Sequence, residues 1–139
     1  MLLISELARF LDEHNLGVLA TTAKDGRPRQ SLVYFARCDE RLLIATEVGR
    51  WKARDVVRTG WASLAVRGEE APYPSVAVAG PASLVEENVG LLTALVAQRV
   101  LGLDEPPEPQ AEKALADAGR VILAIDVERV GPMSYIEHG

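Results

Sequence analysis

Four basic side chains fall within nine positions, in the segment Arg50-Trp51-Lys52-Ala53-Arg54 and at Arg58, with one acid among them. The segment follows a β-rich run that ends at Thr46 and has the pattern of a helix start. Free N–H groups at a helix N-terminus favour phosphate, and arginine and lysine add charged hydrogen bonds. The pattern therefore predicts a phosphate clamp for a cofactor or substrate. The alternative is a solvated helix face with Val56 and Val57 packed inward.

Three aromatic side chains could also contact a ligand. Trp51 and Trp61 are either ring-stacking groups or buried anchors, which is the commoner role of tryptophan. Tyr73 lies between Pro72 and Pro74, so its loop is stiff and suits a contact with a ligand or a partner.

Conventional catalytic motifs are missing from the sequence. It has no G-x-S-x-G, Walker A or H-E-x-x-H motif, and no G-x-G-x-x-G after a strand. The single cysteine, Cys38, cannot form an intrachain disulfide and fits a reducing cytoplasm. Neither it nor His14 and His138 have zinc-site spacing. We therefore expect no metal site and assign no catalytic residue.

Length and composition predict one globular domain over residues 1–139. The chain is 48% hydrophobic and 25% charged, with a net charge of -5, which argues against a nucleic-acid partner. No apolar run is long enough for a spanning helix, so no membrane partner is expected. The N-terminal MLLISELARFLDEH has the pattern of an amphipathic helix rather than a signal peptide.

Periodicity predicts a mainly β chain with flanking helices. The Asp25-Gly26 pair is a strong hairpin signal, Ser5 is a candidate helix cap, and Gly80-Pro81 suggests a bend. Short turns imply antiparallel pairing, and six strands with apolar faces suggest closure into a barrel. An acidic, proline-rich connector at about 102–109 interrupts the helices. The predicted strands are 17–23, 28–38, 42–46, 61–66, 75–86 and 120–130, and the predicted helices are 4–14, 50–60, 88–101 and 110–118.

Five segments, taken in order, resemble a known family. They are GVLATTAKDGRPRQSLVYF, LLIAT, RWKARDVVRTGWASLAV, PYPSVAVAGPASL and RVILAIDVERVGP. Together they are similar to the pyridoxamine 5'-phosphate oxidase-like split barrels, in particular to the small flavin and deazaflavin oxidoreductases of actinobacteria. The resemblance implies a six-stranded antiparallel split β-barrel of the FMN-binding type, homodimeric, with cofactor sites at the interface.

The resemblance also implies which residues bind the cofactor. In this family the strand after the Gly-Arg-Pro turn follows the cofactor ring and its ribityl chain, and the third strand ends beside the cofactor. Basic residues then grip the phosphate, and the loop before the fifth strand reaches the cofactor of the other subunit. In this sequence these positions are, in that order, Arg29, Gln30, Ser31 and Val33; Ala45 and Thr46; Arg50 and Lys52; and Tyr73, Pro74 and Ser75.

The implied function is an oxidoreductase that transfers hydride to or from a small molecule, using FMN or deazaflavin coenzyme F-420. Alternatives are a non-catalytic protein that stores a flavin and, less favoured, a haem-binding split barrel, because neither histidine lies on a predicted strand. Asp55 replaces an asparagine common in the family, and Leu32 replaces a polar residue of some deazaflavin users. The sequence lacks the C-terminal extension of true pyridoxamine 5'-phosphate oxidases, so vitamin B6 oxidation is not expected.

Overall fold

The computed structural model describes residues 3–131 and Ser134. The chain is mainly β with flanking helices, as predicted, and none of the helices in this part of the chain is long and apolar enough to cross a bilayer. In chain order the elements are α1 Ser5–Asp12, β1 Leu16–Thr22, β2 Pro28–Tyr34, β3 Ala36–Cys38, β4 Arg41–Glu47, α2 Trp51–Thr59, β5 Trp61–Arg67, β6 Ser75–Val85, α3 Val89–Leu101, α4 Glu112–Asp117, β7 Arg120–Asp126 and β8 Arg129–Val130.

The described residues form eight strands, so the prediction of six strands is wrong. Two predicted strands are each divided where the chain changes its pairing partner. At the first division the Phe35 N–H donates to Asn15 O, and Phe35 and Ala36 are buried in different hydrophobic clusters. At the second, the Val127 N–H donates to Glu40 O. Both places stay extended and apolar, so periodicity alone reads each as one continuous strand.

Of three expectations about residues of α1 and α2, one is confirmed and two are wrong. Gly60 ends α2 in the left-handed region with φ 66°, which suits glycine. Ser5 is the first residue of α1 rather than its cap, and Ile4 occupies the cap position without a side-chain hydrogen bond. The two valines of α2 differ from the expectation that both pack inward. Val56 is buried, but Val57 is 71% exposed.

The strands form one curled antiparallel sheet in the order β2-β1-β5-β6-β7-β4-β3, with β8 paired to β6. Its concave face encloses the main apolar cluster, which includes Leu19, Leu64 and Ile125. A second cluster, with Ile122 and Val96, lies between the opposite face of β4 and β7 and the helices α3 and α4. The curled sheet fits a split barrel. Since no ladder of described residues joins β2 to β4, we call the gap between these strands the seam.

Strand β6 holds the two halves of the sheet together and bends at Gly80 to do so. Before the bend it pairs with β5, and from Ala82 to Val85 it pairs with β7. The backbone of β7 comes so close that a Cβ at Gly80 would lie 1.7 Å from Asp126 O. The predicted bend is confirmed, and its physical cause is this close approach.

Gly80→Ala should therefore lower the free energy of unfolding by about 3 kcal/mol, because the backbone must shift to admit the methyl group. Urea unfolding followed by tryptophan fluorescence would measure this. Gly49→Ala is the matched control, since a Cβ there meets nothing within 4 Å. Equal stabilities of the two variants would contradict the account of the bend.

Candidate functional site

The seam contains a cavity of about 440 Å³ between β2, β4 and α3, a size that small ligands occupy. One strand wall is the end of β2, the other is the middle of β4, and α3 forms the third wall. Lys52, in the first turn of α2, is its only charged lining residue among those described. The lining residues are Leu32, Val33, Tyr34, Ile44, Ala45, Lys52, Thr93, Val96, Ala97, Val100 and Leu101.

Two buried polar atoms of β2 have no hydrogen-bond partner among the described residues. They are Nε of Arg29 and Oγ of Ser31. Both side chains project from the concave face of β2, the face that also presents Val33 to the cavity. A buried polar atom left unpaired costs free energy. Neither residue lines the cavity itself, and both stand on the face of β2 that borders the cavity through Val33.

Trp51 brings the two cations of the seam together. The Arg29 guanidinium lies 5.3 Å from the centre of its ring and Lys52 Nζ lies 5.6 Å from the same centre. Cation–π contacts at these distances are favourable. Trp51 is half-buried, so it acts as a platform for both cations, a role that the sequence left undecided between stacking and packing.

Asp55 on α2 holds the guanidinium group of Arg29 in place. Its carboxylate is fully buried and accepts hydrogen bonds from Thr21 Oγ1 at 2.9 Å, Arg29 Nη2 at 2.9 Å and Arg58 Nη2 at 3.0 Å. Burial would raise the pKa of this carboxyl, but the hydrogen bonds from Thr21, Arg58 and Arg29 outweigh burial and hold the pKa below its usual value. Asp55 is therefore ionised at neutral pH, and two arginines share its charge.

Lys52 is the strongest candidate for direct contact with an anion. Burial, followed by repulsion from Arg50, lowers the pKa of its ammonium group. No ion pair to a carboxylate is found for Lys52 among residues 3–131 and Ser134. A half-buried cation without a counter-ion favours an incoming anion, because the anion restores the interactions that burial removed.

The remaining predicted residues of the two strands and of α2 take different positions. Ala45 lines the cavity. Thr46, on the other face of β4, is buried and does not line the cavity. Gln30 shares the exposed face of β2 with Leu32 and Tyr34, but unlike them it does not line the cavity. Arg50 is 66% exposed and lies 3.9 Å from Glu47.

Tyr73, Pro74 and Ser75 do not line the seam cavity of their own chain. The loop between β5 and β6 holds them, and Pro74 and Ser75 line a different cavity, of about 850 Å³, next to α1. Tyr73 has a φ of 58°, and Arg67 lies 5.4 Å from its ring centre. The expected contact of this loop with the cofactor of another subunit stays a prediction.

Sequence reasoning missed the wall that α3 contributes. Thr93, Val96, Ala97 and Val100 recur at helical spacing, and this spacing signals only that one face of the helix is buried. Which face meets the seam depends on how α3 crosses β4 and β7. Thr21 was missed for a similar reason, since a threonine in a strand is ordinary until a carboxylate is found beside it.

A curled antiparallel sheet with a cavity at its seam fits a split barrel, and comparison of the sequence with protein families identifies the family. Residues 3–134 match the family described as pyridoxamine 5'-phosphate oxidase. The chain belongs to this family. A search of curated proteins found no match.

Solved structures share the fold. An F420 reductase is 26% identical with a TM-score of 0.71, and the alignment covers 88% of this chain and 94% of the reductase. HutZ, a haem storage protein from Vibrio cholerae, is 20% identical with a TM-score of 0.68 and 97% coverage of both chains. A FAD and haem binding protein from Mycobacterium smegmatis is 20% identical, with a TM-score of 0.75 and coverage of 98% and 73%. The last two likenesses concern the fold alone.

Proposed function

We propose that the protein is an oxidoreductase that holds FMN or deazaflavin coenzyme F-420 in the seam and transfers hydride to or from a small molecule. One observation carries the proposal. A half-buried cation, Lys52, lies on the same tryptophan as Arg29, whose buried Nε has no partner within the part of the chain that the structure describes. The likeness to an F420 reductase and the family membership support the choice of cofactor class.

The residues of the seam fit such a cofactor. Lys52 and Arg29 would hold its phosphate, and Ser31 Oγ would hydrogen-bond to an acceptor on its chain or ring. Val33 and Ala45 would pack against the flat ring and keep water from it. The bound cofactor would give or accept the hydride, and with it two electrons, which the described side chains cannot do.

The chain's own contribution is orientation rather than acid–base chemistry. Asp55 and Trp51 fix the Arg29 guanidinium before any ligand arrives, so little conformational entropy is lost on binding. Arg50, with its exposed side chain, would add positive charge at the entrance. Hydride transfer needs no protein acid or base, so no residue is given a catalytic role.

The test of this function is the visible absorption spectrum of the purified protein, followed by titration with FMN and with deazaflavin coenzyme F-420. The proposal expects one of them to bind and to be reduced or reoxidised by a small-molecule donor or acceptor. Binding of either cofactor without turnover of any donor or acceptor would favour the storage alternative. A Soret band with neither cofactor bound would favour haem and contradict the proposal.

We also propose that two copies of the chain pair through the convex face of β1, β5 and β6. The middle of this face carries small uncharged residues, with Ala20 opposite Ser63 and Ala65 opposite Ala77, and Arg67 stands at its edge at the end of β5. The exposed face of an antiparallel sheet is usually polar. An exposed apolar sheet face marks an interaction surface, and a two-fold contact uses the same patch on both copies.

Ala65→Arg should convert such a dimer into a monomer, because like charges placed face to face across a two-fold axis cost several kcal/mol. Sedimentation velocity at micromolar concentration would report the change. Ala116→Arg on α4 is the control, since Ala116 is also exposed but lies away from this face. A monomeric wild type, or a dimer that survives Ala65→Arg, would contradict this contact.

A further inference from the structure

The third wall of the seam cavity, α3, differs in character from the end that holds Lys52. Five residues of this helix line the cavity, and four of them are apolar: Val96, Ala97, Val100 and Leu101, against one hydroxyl at Thr93. The cavity therefore has a cationic end at α2 and an apolar end at α3.

The apolar character continues at the cavity mouth. Leu101, the last residue of α3, is 66% exposed, and Leu32 and Tyr34 on the opposite rim are also exposed. Leu32 and Tyr34 also border the face proposed for dimer contact, whereas Leu101 lies on the other side of the cavity. Exposed apolar side chains that rim one cavity favour an apolar ligand over a charged one.

The wall is fixed in place by hydrogen bonds from other elements. At the N-terminus of α3 the Glu112 carboxylate accepts from the Val89 N–H at 2.8 Å and the Gly90 N–H at 2.6 Å. Near the C-terminus, Asn15 Nδ2 donates to Val100 O at 3.1 Å. Because both ends are held, the apolar wall is a preformed part of the site.

A charged substrate would find no counter-ion at this wall. Of the described residues that line the cavity only Lys52 is charged, and the proposed function assigns Lys52 to the phosphate of the cofactor. A charge placed against Val96, Ala97 and Val100 would lose its hydration without gaining a partner, at a cost of several kcal/mol.

We propose that the substrate which meets the cofactor in this cavity is a small, uncharged and largely apolar molecule seated against α3. The inference rests on the proposed function, because it gives the cationic end to the cofactor. Neither the fold nor the cationic end decides the class of substrate. The wall formed by α3 decides it, so Leu101 and Ala97 are determinants of specificity.

Two isosteric probes test the proposal: 2-naphthamide, which is neutral, and 2-naphthoate, which is an anion. Calorimetric titration of the cofactor-loaded protein should show that the amide binds about tenfold more tightly or better, because only the carboxylate must be desolvated without a partner. Equal or tighter binding of the naphthoate, or binding of neither probe, would overturn the proposal.

Two variants of α3 localise the effect. Leu101→Asp should weaken binding of the amide by about fivefold or more, because it puts a charge at the apolar mouth. Leu91→Asp should leave it unchanged, since Leu91 is similarly exposed at 61% but does not line the cavity. Equal effects of the two substitutions would also overturn the proposal.

Failure of the proposed function would be recognised separately, by the absence of cofactor binding in the spectral titration. The probe pair is then measured on the Lys52→Gln protein, which lacks the cation that could attract naphthoate. Tighter binding of the amide than of the naphthoate, with amide binding weakened by Leu101→Asp and not by Leu91→Asp, would keep the assignment of an apolar ligand to this cavity, and any other result would reject it.

Discussion

Asp55→Ala is expected to lower the free energy of unfolding by about 3 kcal/mol, the low end of the cost of breaking a buried ion pair. The substitution leaves a cavity and removes the acceptor that Thr21, Arg29 and Arg58 share. The loss is at the low end because the side chains of Arg29 and Arg58 are 40% and 36% exposed and can turn to water. Urea unfolding followed by tryptophan fluorescence at neutral pH would measure it.

Asp55→Asn removes the negative charge of the carboxylate and keeps the shape of the side chain. It keeps the volume and one acceptor oxygen, so a loss of about 1 kcal/mol is expected at neutral pH. The folded protein holds the pKa of Asp55 below its usual value. The stabilisation from its charge is therefore present above the ordinary pKa of about 3.9 and is lost as pH falls through the folded value. The difference between wild type and Asp55→Asn should shrink in acid, and a difference that grows in acid would contradict the role of the charge.

Arg29→Met combined with Lys52→Met should weaken binding of the cofactor by about 4 kcal/mol, or roughly a thousandfold. Methionine keeps an apolar side chain beside Trp51 but removes both cations and their hydrogen bonds. Fluorescence titration with whichever of the two cofactors the wild type binds would give the dissociation constants, and a melting curve would show that the double variant is folded.

Arg41→Met combined with Lys113→Met is the matched control, because both residues are cations in exposed ion pairs away from the seam. Its affinity for the cofactor should stay within about twofold of the wild type. Arg50→Ala should give an intermediate loss, since its exposed charge acts at longer range. If the seam variant keeps the affinity of the Arg41 and Lys113 control, the phosphate is held elsewhere.

Most elements could be predicted from local patterns, because alternation and turn residues are properties of neighbouring positions. The Asp25-Gly26 turn and the strands on either side form the expected hairpin, with Thr22 opposite Pro28. The divisions at Phe35 and after Asp126 could not be predicted in this way. They depend on which distant strand offers the next backbone partner, and that is a property of the whole folded sheet.

The site was predictable to the extent that its chemistry lies in one segment or in the family pattern. Lys52 stood out because cations are dense around it in an acidic chain, and the resemblance added Arg29 and Ser31. The pairing of Arg29 with Asp55 could not be seen, because it requires β1, β2 and α2 to meet. The apolar wall formed by α3 could not be predicted either, because it depends on how α3 packs against the sheet.

The most direct measurement is a crystal structure of the protein grown with the cofactor that binds in titration. We expect a phosphate oxygen within hydrogen-bonding distance of Lys52 Nζ and of Arg29 Nε, and the cofactor ring against Val33 and Ala45. A cofactor bound at another surface, with Lys52 and Arg29 both left in contact with solvent, would contradict it.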